Sequence, residues 1–202
     1  MKLYYAQNSR AVRIAWLLEE LGLDYEIEKF TLGQREMREP DYLKVHPMGR
    51  VPALELDGQV IFESGAIVQY VLARFGEGRL HPGADSPEFA NYLQWLHYCE
   101  GMIMPPINTI VVETILLPPE RRTELNVKRA TKLLNQMLGA VETHMQGRDY
   151  LAGEFSGADI MTGHSVIVSR DLVKADFSDK PNLARYAERL LERPALQKAM
   201  HL

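Results

Sequence analysis

The chain has 202 residues, of which 46% are hydrophobic and 25% charged, and its formal net charge at pH 7 is −4. This is the composition of a globular protein with enough chain to bury a core, and the mild acidity excludes the basic footprint of a nucleic-acid-binding protein. No apolar stretch approaches the ~20 residues that cross a bilayer, the start lacks the apolar core of a signal peptide, and the single cysteine, Cys99, excludes an internal disulfide. We expect a cytoplasmic protein without membrane or nucleic-acid partners.

The first 75 residues alternate between strand-like and helix-like patterns. In chain order they predict a strand at 2–5, a helix at 11–21 closed by Gly22, a strand at 24–31, a short helical segment at 33–43, a hairpin over 51–62 turning at Asp57-Gly58, and a helix at 65–75. Helices between strands favour parallel pairing and the hairpin adds an antiparallel pair, so we expect a small, mixed, four-stranded sheet.

The remainder of the chain reads as helix alone. Residues 76–87, GEGRLHPGADSP, have the composition of a linker. Helices are predicted at 89–103, where Pro105-Pro106 breaks or kinks the helix, and at 120–145, 156–173 and 182–191, with a short one after Pro194. We therefore predict an α/β domain over 1–76, a linker over 77–87 and an all-α domain over 88–202.

The segment HPMGRVPAL, residues 46–54, places Pro52 where a strand begins. Proline cannot donate to a sheet ladder, so it is tolerated there only at an edge, at a bulge or after a cis peptide bond. A cis Val51–Pro52 bond would turn the Val51 N–H and C=O away from the sheet, where they can pair with an extended peptide as an added strand would. An edge proline in a tight turn is the alternative.

Two serines stand where helices begin. Ser64 follows Glu63 at a strand-to-helix junction, where a hydroxyl and free N–H groups can hold a carboxylate and the glutamate can bind an ammonium group. Ser9 follows the first strand, where a hydroxyl and the helix dipole can stabilise a thiolate. Each serine can equally be a plain helix cap.

Other chemistry-bearing residues give weaker signals. Ser156 and Asp159 form a capping-box pattern that we assign to structure. The six histidines are scattered, so no metal site is predicted. The absence of a Cys-x-x-Cys motif argues against a disulfide oxidoreductase.

Taken together, these features resemble a bacterial member of the cytosolic glutathione S-transferase family. The resemblance lies in the order and spacing of four segments: NSRAVRIAWLLEELGLDYE, HPMGRVPALELDG, FESGAIVQYVLARFG and FSGADI. The resemblance covers essentially the whole chain. It implies a thioredoxin-like N-terminal domain, a C-terminal helical bundle and a homodimer.

The resemblance also assigns roles to residues. Pro52 matches the family's cis-proline and Val51 the residue whose backbone pairs with the cysteinyl part of glutathione. Glu63 and Ser64 match the acidic-Ser pair that binds the γ-glutamyl end, and Arg50 is placed to reach the glycyl carboxylate. Met37 stands where many relatives have a polar contact, so Arg35 or Arg38 is expected to replace it.

The thiol-activating residue is less well determined by the sequence. A bacterial class carries cysteine near this position, but here the aligned residue is Arg10. Ser9 is the first choice, with Tyr5 and Asn8 as alternatives. His46 replaces the family's usual Asn before Pro47, a change expected to be structural.

The expected function is conjugation of the glutathione thiolate to a small hydrophobic electrophile, with peroxide reduction as a related activity. The electrophile pocket is expected between the domains, lined by Tyr98, Met102, Ile103 and Ile107, for each of which core packing is the competing interpretation. The alternative function is a non-catalytic glutathione-binding or regulatory protein of the same fold.

Overall fold

A computed structural model describes all 202 residues. The chain forms two compact units, one of residues Met1–Arg79 together with Leu191–Leu202, the other of Leu80–Leu190. The last twelve residues therefore belong with the N-terminal unit, whereas the sequence assigned them to the helical domain.

The first part of the N-terminal unit, Met1–Arg79, is built on four strands and three α-helices. These are β1 (Lys2–Ala6), α1 (Ala11–Leu21), β2 (Glu26–Phe30), α2 (Pro40–Val45), β3 (Ala53–Leu56), β4 (Gln59–Phe62) and α3 (Ser64–Phe75). A short 3₁₀ turn, Arg35–Arg38, precedes α2. Pro40 opens α2, where its missing N–H costs nothing, instead of lying inside a longer helix as predicted.

The sheet has the strand order β2-β1-β3-β4, with β1 parallel to β2 and antiparallel to β3. The predicted mixed four-stranded sheet is confirmed. The rule that a helix between strands gives parallel pairing holds for β1 and β2 but is wrong for β3, which turns at Gly49 and Pro52 and enters the sheet beside β1 in the opposite direction.

Helix α1 lies at the centre of this unit. Residues 11–18 are all buried, including Arg13. Gly22 ends the helix in the left-handed conformation, with a φ of 68°, which glycine adopts without strain. The last helix, α9 (Pro194–Met200), packs on α1. Arg193 pairs with Glu20 at 2.6 Å, so an ion pair ties the start of α9 to the end of α1.

The second unit is helical, as predicted. Its helices are α4 (Phe89–Tyr98), α5 (Met104–Val111), α6 (Glu124–His144), α7 (His164–Asp171) and α8 (Pro181–Leu191), the last of which ends at the boundary with the other unit. A π-helical turn, Cys99–Ile103, joins α4 to α5 immediately before Pro105 and Pro106. The wider turn lets the helix accommodate two residues that lack N–H donors, and so the prolines deform the helix without ending it.

The predicted capping box at Ser156 is present. The Asp159 carboxylate accepts hydrogen bonds from the Ser156 N–H at 2.9 Å, the Leu151 N–H at 3.0 Å and the Tyr186 hydroxyl at 2.7 Å. Complete burial raises the pKa of Asp159 to about 6 against the pull of these donors. The network orders the loop that leads into the π-helical turn Asp159–Gly163 and α7.

Candidate ligand-binding site

The turn before β3 presents backbone that the sheet does not use. The Val51–Pro52 peptide bond is cis, which selects the cis alternative that the sequence left open. The ladder of β3 with β1 and β4 begins at Ala53, so Val51 lies outside it. The Tyr42 hydroxyl donates to the Arg50 carbonyl at 2.6 Å and anchors the turn from α2.

Gly49 and His46 shape the same turn. Gly49 has a φ of 57°, and a Cβ there would lie 2.2 Å from the Met37 carbonyl oxygen, so only glycine is accommodated. His46 is buried, and its Nδ1 accepts the Met48 N–H at 3.2 Å. Its ring packs on Phe62 with 4.8 Å between centroids, and burial lowers the pKa of His46.

The junction between β4 and α3 holds the Glu63-Ser64 pair. Glu63 has a φ of 73° and a ψ of 108°, a rare conformation for a residue with a side chain, and it is exposed. The Ile67 N–H donates to the Glu63 carbonyl at 2.9 Å and closes the first turn of α3. The N–H groups of residues 64–66 have no carbonyl to receive them inside the helix, so they form an anion-attracting end.

Glu63 occupies the N-cap position of α3 without a side-chain cap, and Ser64 is the first residue of the helix. The Ser64 Oγ accepts a hydrogen bond from Arg13 Nη1 at 3.2 Å, and both side chains are buried. The interpretation of Ser64 as a plain helix cap is therefore wrong.

Ser9 behaves differently. Its hydroxyl donates to the Ala6 carbonyl at 2.6 Å and accepts the Ala11 N–H at 3.0 Å. The Val12 N–H donates to the Ser9 carbonyl at 3.2 Å, so the start of α1 is hydrogen-bonded within its own turn. In this conformation Ser9 acts as a local cap.

The two alternatives to Ser9 occupy contrasting positions. Tyr5 is 1% exposed, and its hydroxyl donates to the Ala199 carbonyl at 2.8 Å, so its proton is directed into α9. Asn8 is exposed, with a φ of 59° in the loop that leads to α1. Tyr5 is therefore the less accessible of the two to a bound thiol.

Met37 and the three arginines near the turn, Arg35, Arg38 and Arg50, have different surroundings. Met37 is buried against Tyr4, Tyr42 and Ala53, where it packs as core. Arg38 donates to the Met48 carbonyl at 3.0 Å, and exposed Arg35 pairs with Glu39 at 3.3 Å. Arg50 is exposed, and its positive charge lowers the pKa of His46, while the negative charge of Glu63 raises it.

Within the helical unit, the predicted pocket residues divide into two groups. Ile103 and Ile107 are at most 1% exposed and pack as core. Met102 is 46% exposed, and half-buried Tyr98 donates its hydroxyl to the Met137 carbonyl at 3.1 Å. Only Met102 and Tyr98 remain candidates for contact with an electrophile.

Two further observations concern the chain as a whole. His, Cys, Asp and Glu side chains do not gather in groups of three or more that could hold a metal ion. None of the helices has both the length and the apolarity needed to cross a bilayer.

The geometry defines a class of protein: a thioredoxin-like unit with a cis-proline before its third strand and an acidic-Ser pair at a helix start, followed by a helical unit. The family models for the glutathione S-transferase N-terminal and C-terminal domains match residues 1–73 and 103–194. The chain belongs to the glutathione S-transferase family.

Individual relatives extend this finding. Glutathione S-transferase 3 of Zea mays is 30% identical over 99% of this chain and 93% of its own length. A glutathione transferase of Pseudomonas putida, solved with glutathione disulfide bound, superposes with a TM-score of 0.87 at 28% identity, covering 100% of this chain and 90% of that one. Elongation factor 1-gamma of Prunus avium is 28% identical over 96% of this chain but only 46% of its own length.

The structure adds two residues to the site that the sequence analysis did not assign to it. Arg13 was hidden in an apolar helix, and its signal was a lone charge within AVRIAWLL, residues 11–18, a stretch too apolar to leave an exposed face. His46 was assigned to structure alone; it is buried in the turn before β3, where burial lowers its pKa while the charge of Glu63 raises it and that of Arg50 lowers it.

Proposed function

We propose that this protein is a glutathione transferase that joins the glutathione thiolate to a small hydrophobic electrophile, with peroxide reduction as a related activity. The start of α3 carries the proposal: Glu63 and Ser64 present a carboxylate, a hydroxyl and free helix N–H groups at one junction. An α-amino acid terminus has the complementary ammonium and carboxylate, which is the chemistry of the γ-glutamyl end of glutathione.

The cis-proline turn supplies the next contact. The Val51 N–H and C=O, outside the ladder, are proposed to pair with the cysteinyl residue as an added strand would. Exposed Arg50 follows Gly49 in the same turn and is proposed to reach the glycyl carboxylate. Arg38 is held by the Met48 carbonyl and Arg35 by Glu39, so Arg50 is the better placed of the three.

Ser9 is the proposed thiol-activating residue. A free thiol has a pKa of about 8.5, so little is ionised at neutral pH. A single hydroxyl hydrogen bond to the anion is worth ~1.5–3 kcal/mol, which corresponds to roughly one or two pKa units. Donation to the thiolate requires the Ser9 hydroxyl to leave the Ala6 carbonyl, because a hydroxyl has one proton. Asn8 is the second candidate.

The electrophile is proposed to contact the helical unit at Met102 and Tyr98. Met102 exposes an adaptable apolar side chain, and Tyr98 combines a ring with a polar end. Such surfaces bind apolar molecules of varied shape. The thiol first releases its proton to solvent. The thiolate then forms the S–C bond while the bond from that carbon to the leaving group breaks and its electron pair departs with the leaving group; in an addition, the electron pair of the electrophile's double bond instead takes up a proton from solvent.

A non-catalytic glutathione-binding protein of the same fold is the second candidate. One observation favours it: the Ser9 hydroxyl is occupied by Ala6 and Ala11, as in an ordinary cap. The relative named elongation factor 1-gamma has a region similar to this chain, and its name is not that of a transferase. Both candidates share the Glu63-Ser64 site, so binding alone does not separate them.

Titration with glutathione at neutral pH, followed by ultraviolet thiolate absorbance and calorimetry in the same samples, tests both candidates. Saturable heat with a saturable thiolate signal supports the transferase. Heat without thiolate absorbance supports the non-catalytic protein, and the absence of both contradicts any glutathione function.

The assembly and location are part of the same proposal. We expect a homodimer with an isologous interface, and light scattering that finds only a 23.0 kDa species at micromolar concentration would contradict it. We expect the protein to act in the cytoplasm, where glutathione is the main thiol buffer and a lone free cysteine such as Cys99 persists.

A further inference from the structure

Arg13 is a charged side chain in the middle of a buried helix. It is 0% exposed, and it donates from Nη1 to Ser64 Oγ at 3.2 Å. The two residues are 51 positions apart, so this hydrogen bond joins α1 to α3. Burying a guanidinium costs several kcal/mol of hydration, and a packing role alone would be served by an apolar side chain of similar volume.

The bond determines what the Ser64 hydroxyl can do. A guanidinium has donors and no acceptor, whereas a hydroxyl has one proton and two lone pairs. Ser64 therefore receives from Arg13 and cannot direct its proton toward it. The proton remains available for another acceptor, and a hydroxyl that accepts from a cation becomes a stronger donor, because hydrogen bonds in a chain polarise one another.

We infer that Arg13 is a positioning residue that orients the Ser64 hydroxyl as a donor to the α-carboxylate of the γ-glutamyl group. The inference rests on the proposed binding of glutathione at Ser64. Arg13 lies behind Ser64 and acts through it. The N–H groups of residues 64–66 at the start of α3 attract the same carboxylate.

Two ligands distinguish positioning from general packing. The first is glutathione, and the second is its analogue with 4-aminobutanoyl in place of γ-glutamyl, which lacks only the α-carboxylate and keeps the ammonium group. Calorimetry measures the affinity of both ligands for the wild-type protein, Arg13→Gln, Ser64→Ala and the double variant. Glu20→Gln is the matched control, since Glu20 is also on α1 but pairs with Trp16 and Arg193.

The wild-type protein is expected to prefer glutathione to the analogue. Arg13→Gln is expected to weaken glutathione binding about tenfold, the effect of one charge-assisted hydrogen bond, and to leave analogue binding within twofold. The double variant is expected to bind glutathione as Ser64→Ala does, because Arg13 acts only through Ser64. Glu20→Gln is expected to retain the preference.

Equal weakening of both ligands by Arg13→Gln, or additive effects in the double variant, would overturn the role of Arg13. If Arg13→Gln does not fold, Arg13→Lys applies the same test with a shorter cation, and its expected loss is several-fold for glutathione alone. Wild-type protein that binds neither ligand would contradict the proposed function itself. Wild-type binding with an unchanged preference in the Arg13 variants would contradict only this inference.

Discussion

Two serines that start helices in the same unit have opposite hydrogen-bonding arrangements. Ser9 donates to the Ala6 carbonyl and accepts from the Ala11 N–H, so its hydroxyl is satisfied by its own loop. Ser64 makes no cap and instead accepts from Arg13, a residue of another helix. The first hydroxyl stabilises local structure, whereas the second has a proton that local structure does not use.

The difference shows that a serine at a helix start is an ambiguous signal until its proton is traced. A capping serine uses its hydroxyl to hydrogen-bond nearby backbone, whereas a serine that binds a ligand must be prevented from forming such local hydrogen bonds. At Ser64 the buried Arg13 guanidinium performs that task, whereas at Ser9 the hydroxyl donates to the Ala6 carbonyl of its own loop. In the proposed site, the residues assigned to the γ-glutamyl end of glutathione are accordingly more completely positioned than the residue assigned to its sulfur.

The largest expected effect comes from Ser64→Ala. Removing the hydroxyl deletes a charge-assisted hydrogen bond to the ligand and leaves an Arg13 donor without its Ser64 acceptor. We expect the glutathione dissociation constant to rise about tenfold to a hundredfold by calorimetry. Ser9→Ala is expected to raise it less than Ser64→Ala does, because any donation from Ser9 to the thiol has to replace the hydrogen bond to the Ala6 carbonyl. Equal losses in the two variants would contradict the comparison between these serines.

Ser9→Ala is expected to affect stability and rate instead. The loss of a hydroxyl that caps α1 should lower the free energy of unfolding by about 1 kcal/mol. If Ser9 also activates the thiol, kcat/KM for conjugation should fall about tenfold, with the pH-rate profile shifted to higher pH. Denaturant unfolding and initial rates measure the two effects. Full stability with a lowered rate would mean that the cap seen here is dispensable.

Much of the fold could be predicted because its signals are local. The hydrophobic period located α1, the Asp57-Gly58 pair located the hairpin, and Pro52 raised the cis alternative. The direction of β3 could not be predicted, because it depends on a turn whose path is set by contacts such as that between Gly49 and Met37. The position of residues 191–202 likewise depends on tertiary pairs such as Glu20 with Arg193.

Candidate site residues could be named from the sequence where residue type alone indicates chemistry. Glu63 and Ser64 became candidates through their charge and position, but Arg13 did not, because hydrophobic periodicity treats a charged residue in a helix as exposed. Ile103 and Ile107 show the opposite limit: their apolar character left a pocket wall and core packing both open, and the structure buries both side chains. Helical spacing does not distinguish a pocket wall from a core.

Variants of Glu63 test the proposed binding of the γ-glutamyl end of glutathione at the start of α3. Its φ of 73° costs about 1 kcal/mol for a residue with a side chain. Glu63→Gly should relieve that cost and raise the free energy of unfolding, whereas Glu63→Gln should leave it unchanged. Both variants lose the carboxylate and should bind glutathione several-fold more weakly. Calorimetry and denaturant unfolding separate the two properties, and undiminished binding by Glu63→Gln would remove Glu63 from the site.

The smallest expected effect concerns His46, which is buried in the turn before β3. Burial lowers its pKa, and the Met48 N–H needs an unprotonated Nδ1 as acceptor. Just below pH 6.5, the native state therefore binds fewer protons than the unfolded chain. The stability contributed by neutral His46 is present above that pH, and it is lost as the pH falls through the lowered native pKa of His46.

His46→Asn isolates this contribution, because an asparagine oxygen can accept the Met48 N–H at any pH. Asp159 titrates in the same range, because its pKa is raised to about 6, and its protonation stabilises the native state on acidification. Asp159 is present in both proteins, so its contribution cancels in the difference between them. The difference in unfolding free energy between wild type and His46→Asn should therefore move against the wild type between pH 7 and pH 5. A constant difference across that range would mean that His46 is not held neutral, and that the turn beside Pro52 is open to water.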